Sequence, residues 1–332
     1  MNSKPQTPTQ NQRTQTPKND LNVQWPTNSI CNLFQTTHPI VQAGMVYVSG
    51  AKLAAAASET GCLGLIGAGS MSLDLLRSQI QKCKTLTKRS FGVNLPLLYE
   101  KIEEQIDICL EEGVRIFFTS AGSPNKWTKY LKEHQSTVVH VASSPYLAQK
   151  CQDAGVDAVV LEGFEAGGHN GREELTTLVL LQQVYQKLQI PVIAAGGIGS
   201  GAAIHACFAL GAQGVQIGSL FAATVESSAH RNFKQKLCES SHNSTFLRMK
   251  KLIPVRLLNN AFSEIIAKAE DEGASSEELK SLLGKGRAKQ GILLGDLENG
   301  ELEIGQIVSE IKEIRSCPQL VHQLCQEYLM SF

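Results

Sequence analysis

The fold is decided by 190-IPVIAAGGIGSGAAIHACFALGAQGVQIGS-219. It opens on an apolar run, 190-IPVIAAG-196, and passes through the glycine-rich loop 195-AGGIGSG-201. A helical pattern follows, 201-GAAIHACFALG-211, with Ile204 and Phe208 four apart on one face and Gly211 as a stop. A second apolar run, 214-GVQIGS-219, closes the unit. The apolar runs lack strict alternation, as strands of a parallel sheet covered on both faces do.

The same rhythm extends upstream. Apolar runs stand at 40-IVQA-43, 63-LGLIG-67, 91-FGVNL-95, 114-VRIFFTS-120, 137-TVVHVAS-143 and 156-VDAVVLE-162, which with the two above makes eight. Helical patterns lie between them. Ser49 is placed to cap 50-GAKLAAAASETG-61. Ile102, Ile106, Ile108 and Leu110 give 99-YEKIEEQIDICLEEG-113 an inner face, and 145-PYLAQKCQDAG-155 begins on Pro and ends on Gly. Eight strand-helix units predict an α/β fold, a (β/α)8 TIM barrel over 29–224, with an open doubly wound sheet as the alternative.

The flanks read differently. Residues 1–28 are Gln, Thr, Asn, Pro and Ser with almost no aliphatics, and predict a disordered polar tail. Residues 225–332 are charged and helical, as in 261-AFSEIIAKAEDEGASSEELKSLLGKG-286, and predict a helical insertion or lid whose C-terminal part packs back on the barrel.

Composition narrows the function. The 332 residues are 42% hydrophobic, ample for a core, and 31 basic residues balance 31 acidic ones. No basic footprint marks a nucleic-acid binder, and no apolar run spans a membrane. Nine cysteines without CxxC spacing read as reduced structural thiols of a cytoplasmic protein, and no Cys/His/acid cluster has metal-site spacing.

In a barrel, chemistry sits just beyond the strand ends. Two glycine loops on neighbouring strands, 195-AGGIGSG-201 with Gly197 and 216-QIGS-219 (Gln216, Ile217, Gly218, Ser219), point to a phosphate held by backbone N–H groups. After the sixth run comes 162-EGFEAGGHNG-171, where His169 stands among Gly167, Gly168 and Gly171. An imidazole there can act as acid, base or anion stabiliser. His38, His140 and His205 read as structural. Asn94, Gln216 and Glu162 are polar groups at the ends of apolar strands and need partners, from the backbone or from a heterocycle.

Taken together, 39-PIVQAGM-45, 61-GCLGLIGAGS-70, 91-FGVN-94, 162-EGFEAGGHNG-171, 191-PVIAAGGIGSG-201, 210-LGAQGVQIGSLF-221 and 300-GELEIGQ-306 resemble the FMN-dependent nitronate monooxygenase family, formerly named 2-nitropropane dioxygenases. Flavin-dependent enoyl-acyl-carrier-protein reductases share that barrel. The resemblance implies one non-covalent FMN at the barrel mouth, with Gly44 and Met45 beside its ring. It implies that Asn94, Glu162, Gly167 and Gly168 contact it, that Gly197 and 216-QIGS-219 hold its phosphate, and that His169 is the catalytic acid/base. The glycines around His169 would let the loop close on the flavin.

Two functions follow from the resemblance. The first is oxidation of alkyl nitronates with O2 to carbonyl compounds and nitrite. The second is NAD(P)H-dependent reduction of an enoyl thioester or a quinone. The sequence does not fix the oligomeric state; a homodimer is one option. A flavin-binding subunit without turnover is a third reading, against which His169 argues. Inosine monophosphate dehydrogenases grip phosphate similarly but need a cysteine after strand six, and none lies between Cys151 and Cys207. Two departures bear on the substrate: the short 170-NGREELTT-177, and IGQ where many members have AGQ.

Overall fold

The computed structural model describes residue 21 and residues 23–332. Eight strands close a parallel barrel in the order β1 (Ile40–Gln42), β2 (Leu63–Gly67), β3 (Phe91–Pro96), β4 (Ile116–Ser120), β5 (Thr137–Ala142), β6 (Ala158–Glu162), β8 (Val192–Ala195) and β9 (Gly214–Ile217). The two-residue β7 (Gly168–His169) lies outside this ring. The ring closes where Val41 of β1 pairs with both Leu63 and Gln216. The open doubly wound alternative is thereby excluded.

The barrel interior is filled by Val41, Leu63, Leu65, Phe118, Val139, Val160 and Ile193, all with at most 1% of their surface exposed. Ile30 and Phe34 of the helix Ser29–Phe34 join this cluster and close its N-terminal end. Strand side chains point alternately inward and outward, so the outward set meets the helices. Gly61, Gly113, Gly155 and Gly211 each follow a helix at positive φ, between +79° and +95°. These are left-handed helix stops, as read from the sequence.

Ser49 is not the cap of the helix Ala51–Glu59; Gly50 stands there without a side-chain bond. The Ser49 hydroxyl instead accepts from the Met45 N–H at 3.0 Å and donates to the Ala43 carbonyl at 2.8 Å, pinning the loop after β1.

The predicted disordered tail lies outside the described residues for 1–20 and 22. Residues 23–28 are ordered against the barrel. Trp25 donates from Nε1 to His38 Nδ1 at 3.3 Å and packs on Phe208 and Tyr328. An indole buries a large apolar area, enough to tie down a polar segment.

Residues 225–332 are not helical throughout. Strands β10 (Thr245–Arg248) and β11 (Val255–Leu258) pair antiparallel, and β11 also pairs with β7, Val255 opposite His169. Helices Ala261–Asp271 and Ser276–Leu283 cover this sheet around Met249, Val255, Leu257, Phe262, Ile266 and Leu279. The helix Cys317–Leu329 returns to the barrel, so close to Gly201 that a methyl there would overlap the Tyr328 amide.

Candidate active site

All twelve residues singled out from the sequence line one cavity at the C-terminal rim: Gly44, Met45, Asn94, Glu162, Gly167, Gly168, His169, Gly197, Gln216, Ile217, Gly218 and Ser219. They come from the ends of β1, β3, β6, β8 and β9 and from β7. The cavity holds about 220 Å3 and adjoins a second one of about 620 Å3.

Backbone geometry shapes the first cavity. Gly196 and Gly197 adopt φ of +100° and +68°, a region that costs other residues. Ser200 caps the following helix, Gly201–Ala209, by accepting from Ala203. The first amide of that helix is taken: the Gly201 N–H donates to Glu327 Oε2 at 2.9 Å. Any anion at this loop therefore meets the glycine turn rather than the helix's first amide. On the neighbouring strand, the Ser219 hydroxyl accepts from the Gly305 N–H at 3.1 Å. Gly218 packs closely on the loop after β1: a Cβ there would stand 3.3 Å from Met45 Sδ and 3.7 Å from Ala43 Cβ.

The glycines around His169 serve a purpose the sequence reading assigned elsewhere. A methyl on Gly168 would stand 2.7 Å from Glu303 Oε2, and one on Gly171 would stand 2.5 Å from Ser143 Oγ. A methyl on Gly167 would collide with the backbone of Ile304 and Gly305. The cluster admits the protein's own 303–305 segment and its 143 loop. Gly167 and Gly168 also line the cavity themselves, beside Glu303, Ile304 and Gly305.

His169 is exposed at the edge where both cavities meet. Its backbone is fixed by pairing with Val255, and the next amide, Asn170, donates to the Pro254 carbonyl at 2.8 Å. Arg256, 2% exposed, supports the loop from beneath: Nε and Nη2 both donate to the Phe164 carbonyl, at 2.9 and 2.8 Å. Glu165 ties this loop to the next strand. Its carboxylate accepts from the Thr177 N–H at 3.0 and 3.1 Å, while the Thr177 hydroxyl lies 2.9 Å from the Ala195 and Gly196 carbonyls.

The polar strand ends divide into two kinds. Asn94 has one partner in the protein, its Nδ2 donating to the Phe118 carbonyl at 3.3 Å, and also lines the cavity. Glu162 and Gln216 face the cavity, and among the described residues neither side chain has a hydrogen-bond partner. Loss of water pushes the Glu162 carboxyl up to about 7. Two further carboxyls, Glu301 and Glu303, line the second cavity. Burial raises both, Glu301 to about 8, and the His169 imidazole offsets part of the rise at Glu303.

His38, His140 and His205 all have contacts within the protein, and His140 also lines the second cavity. Thr119 Oγ1 lies 2.6 Å from His140 Nδ1, and burial lowers both His140 and His38 to about 4. His205 packs on Tyr328 and Phe332.

Glu165, Arg256, Glu301 and Glu303 escaped the sequence reading. Arg256 had a signal, a lone charge within the apolar 254-PVRLL-258. Glu301 and Glu303 alternate with Leu302 and Ile304 in a motif already quoted.

A closed parallel barrel with a glycine-walled cavity at its C-terminal rim, unpaired polar side chains facing inward and an imidazole at the edge is the architecture of a barrel enzyme. Residues 28–327 match the family model described as nitronate monooxygenase. The chain belongs to that family and is a flavin-dependent oxidoreductase.

A probable nitronate monooxygenase from Bacillus subtilis is 30% identical, over 90% of this chain and 99% of its own. A (3aS,4S,5R,7aS)-5-hydroxy-7a-methyl-1-oxo-octahydro-1H-indene-4-carboxyl-CoA dehydrogenase from Rhodococcus jostii is 34% identical over 70% of this chain, a match spanning 65% of that protein's length. Among solved structures, FabK from Thermotoga maritima superposes with a TM-score of 0.87 at 38% identity, covering 91% of this chain and 96% of that one. A nitroalkane oxidase from Streptomyces ansochromogenes gives 0.78 at 29%, covering 91% and 98%.

Proposed function

We propose that the first cavity binds FMN and that the protein is an NAD(P)H-dependent reductase of an enoyl thioester. The residues fit the cofactor. Glu162 and Gln216 offer unpaired polar atoms to a ring edge, Gly218 adds no side chain to the wall beside Met45, and the turn at Gly196 and Gly197 lines the cavity with backbone suited to a phosphate. Bound FMN would supply a redox centre that takes hydride from a nicotinamide and delivers it to an unsaturated acceptor.

The chain's own residues do the rest. The walls of Ile198, Ile292, Ile304 and Ile307 exclude water. His169, held by β11, protonates the acceptor from the rim. Helices 261–283 act as a lid over the second cavity, to which Leu283 and Arg287 contribute.

The observation that carries the choice of acceptor is the second cavity. Its 620 Å3, walled by Leu98, Tyr99, Leu147, Ile253 and Leu283, suits a long acyl chain. Glu162, Glu301 and Glu303 bring no cation to it that would pair with an anion such as a nitronate. The likeness to FabK points the same way. The second reading, oxidation of alkyl nitronates by O2, is favoured by the family match and by the nitroalkane oxidase structure. In it His169 would take the α-proton of a nitroalkane.

The test is steady-state oxidation of NADH with crotonyl-CoA as acceptor. Wild type turns over, and His169→Ala loses roughly 10²- to 10⁴-fold, the usual value of a positioned acid. Turnover unchanged in His169→Ala refutes the histidine's role.

A further inference from the structure

Glu301 is 8% exposed, yet its carboxyl makes no hydrogen bond or ion pair among the described residues. It faces the 620 Å3 cavity. A carboxyl without a protein partner that opens only onto a cavity is free to pair with whatever occupies it. Its neighbour two residues on is Glu303. The segment is extended there, Glu303 bridging to Leu257 of β11, so both acids lie on one face while Leu302 is buried on the other. Two carboxyls on one face of a cavity cannot both ionise cheaply.

We propose that Glu301, with Glu303 beside it, keeps a proton inside the second cavity and donates a hydrogen bond to the carbonyl oxygen of a bound acyl ligand. The inference rests on the acyl-thioester reading and names the residue that recognises its carbonyl. A neutral acid suits the other walls, because apolar surroundings strengthen a hydrogen bond and a carbonyl brings no charge to bury. Burial, then the like charge of Glu303, holds the Glu301 proton to about pH 8. Arg287 acts in the opposite sense. The other titratable groups facing the cavity are His169, His140, Tyr47, Tyr99, Cys151 and Glu162. None is bonded to Glu301, so the proton has no better acceptor than a ligand.

The experiment uses the flavin-loaded protein and hexanoyl-CoA, a saturated probe that does not turn over. Its Kd is measured by calorimetry from about pH 6 to about pH 10, and the protonated carboxyl C=O stretch is recorded by infrared difference between wild type and Glu301→Gln. In wild type, affinity falls about tenfold as the pair ionises, the worth of one hydrogen bond. Glu301→Gln keeps a donor and binds with a flat pH profile. Glu301→Leu binds about tenfold more weakly at low pH. The difference spectrum shows a protonated-carboxyl C=O band at neutral pH that wild type has and Glu301→Gln lacks, whatever Glu162 and Glu303 contribute to both.

Absence of that band from wild type overturns the retained proton, whatever the substrate. A pH profile in Glu301→Gln equal to that of wild type overturns the assignment to Glu301. A band without any binding of hexanoyl-CoA overturns the carbonyl ligand and, with it, the acyl-thioester reading. NADH oxidation by crotonyl-CoA with a flat wild-type binding profile overturns the donor alone and leaves that reading standing.

Discussion

A methyl group on Gly167 would stand 2.6 Å from the amide nitrogen of Gly305. These two glycines bring the loop after β6 against the late 300–306 segment, and Gln306 N–H then donates to the Glu165 carbonyl at 2.9 Å. Gly167→Ala must push the segment away, at a cost of about 1–3 kcal/mol for overpacking. Thermal unfolding of the flavin-free protein checks this. Loss of stability without flavin present shows that the tight fit is between two parts of the chain. Unchanged stability of the flavin-free variant refutes it.

Arg256 carries a prediction about the same loop from the other side. Its guanidinium holds the Phe164 carbonyl with two donors and lies 5.1 Å from the Phe164 ring. Arg256→Ala leaves that carbonyl without its partners and costs about 1–3 kcal/mol. Arg256→Lys recovers only part, since an ammonium cannot present the same planar fork. Urea denaturation of the three proteins gives the order wild type, Lys, Ala.

Glu165 links the loops after β6 and β8 through Thr177. Glu165→Gln keeps the size but replaces a charged acceptor by a neutral one and introduces an NH2 facing other donors. The expected result is weaker flavin retention, by about tenfold for a loss of roughly 1.5 kcal/mol. Equilibrium dialysis of FMN measures it.

Stability responds to pH in two opposed ways. Glu162 and Glu301 have folded values near 7 and 8, above the 4.5 of an ordinary glutamate. The unfolded chain therefore releases these protons first, and stability is lost as pH rises from 4.5 to about 8. His38 and His140, lowered from 6.5 to about 4, act in reverse: stability is lost as pH falls through that window. Of these groups, only the acids act between pH 6.5 and about 8. There the flavin-free wild type should lose up to about 1.4 kcal/mol per pH unit per group, and Glu301→Gln should show a shallower fall. Parallel curves would contradict the account.

The barrel was legible because its signals are local. Each strand is a short apolar run, and Gly61, Gly113, Gly155 and Gly211 sit where a helix must turn left-handed. The mouth residues were legible for the same reason, since they follow strand ends. What escaped depends on long-range contacts. Strands β10 and β11 lie in a charged, helix-rich region, and their partner β7 is only two residues long. The glycines beside His169 announced a close approach, but the approaching group, Glu303 to Gly305, is more than 130 residues away. Ser49 was read as a cap because it precedes a helix; its hydroxyl is claimed by the β1 loop. Trp25 was lost within a polar composition that its single indole overrides.

The central claim is tested most directly without oxygen. The flavin-loaded protein is mixed with NADH or NADPH, then with crotonyl-CoA, and in a separate sample with an alkyl nitronate, while flavin absorbance is followed. The account predicts bleaching by a nicotinamide and recovery of the yellow colour on adding crotonyl-CoA. Bleaching by the nitronate, with no response to either nicotinamide, would contradict the reductase reading and establish nitronate oxidation in its place.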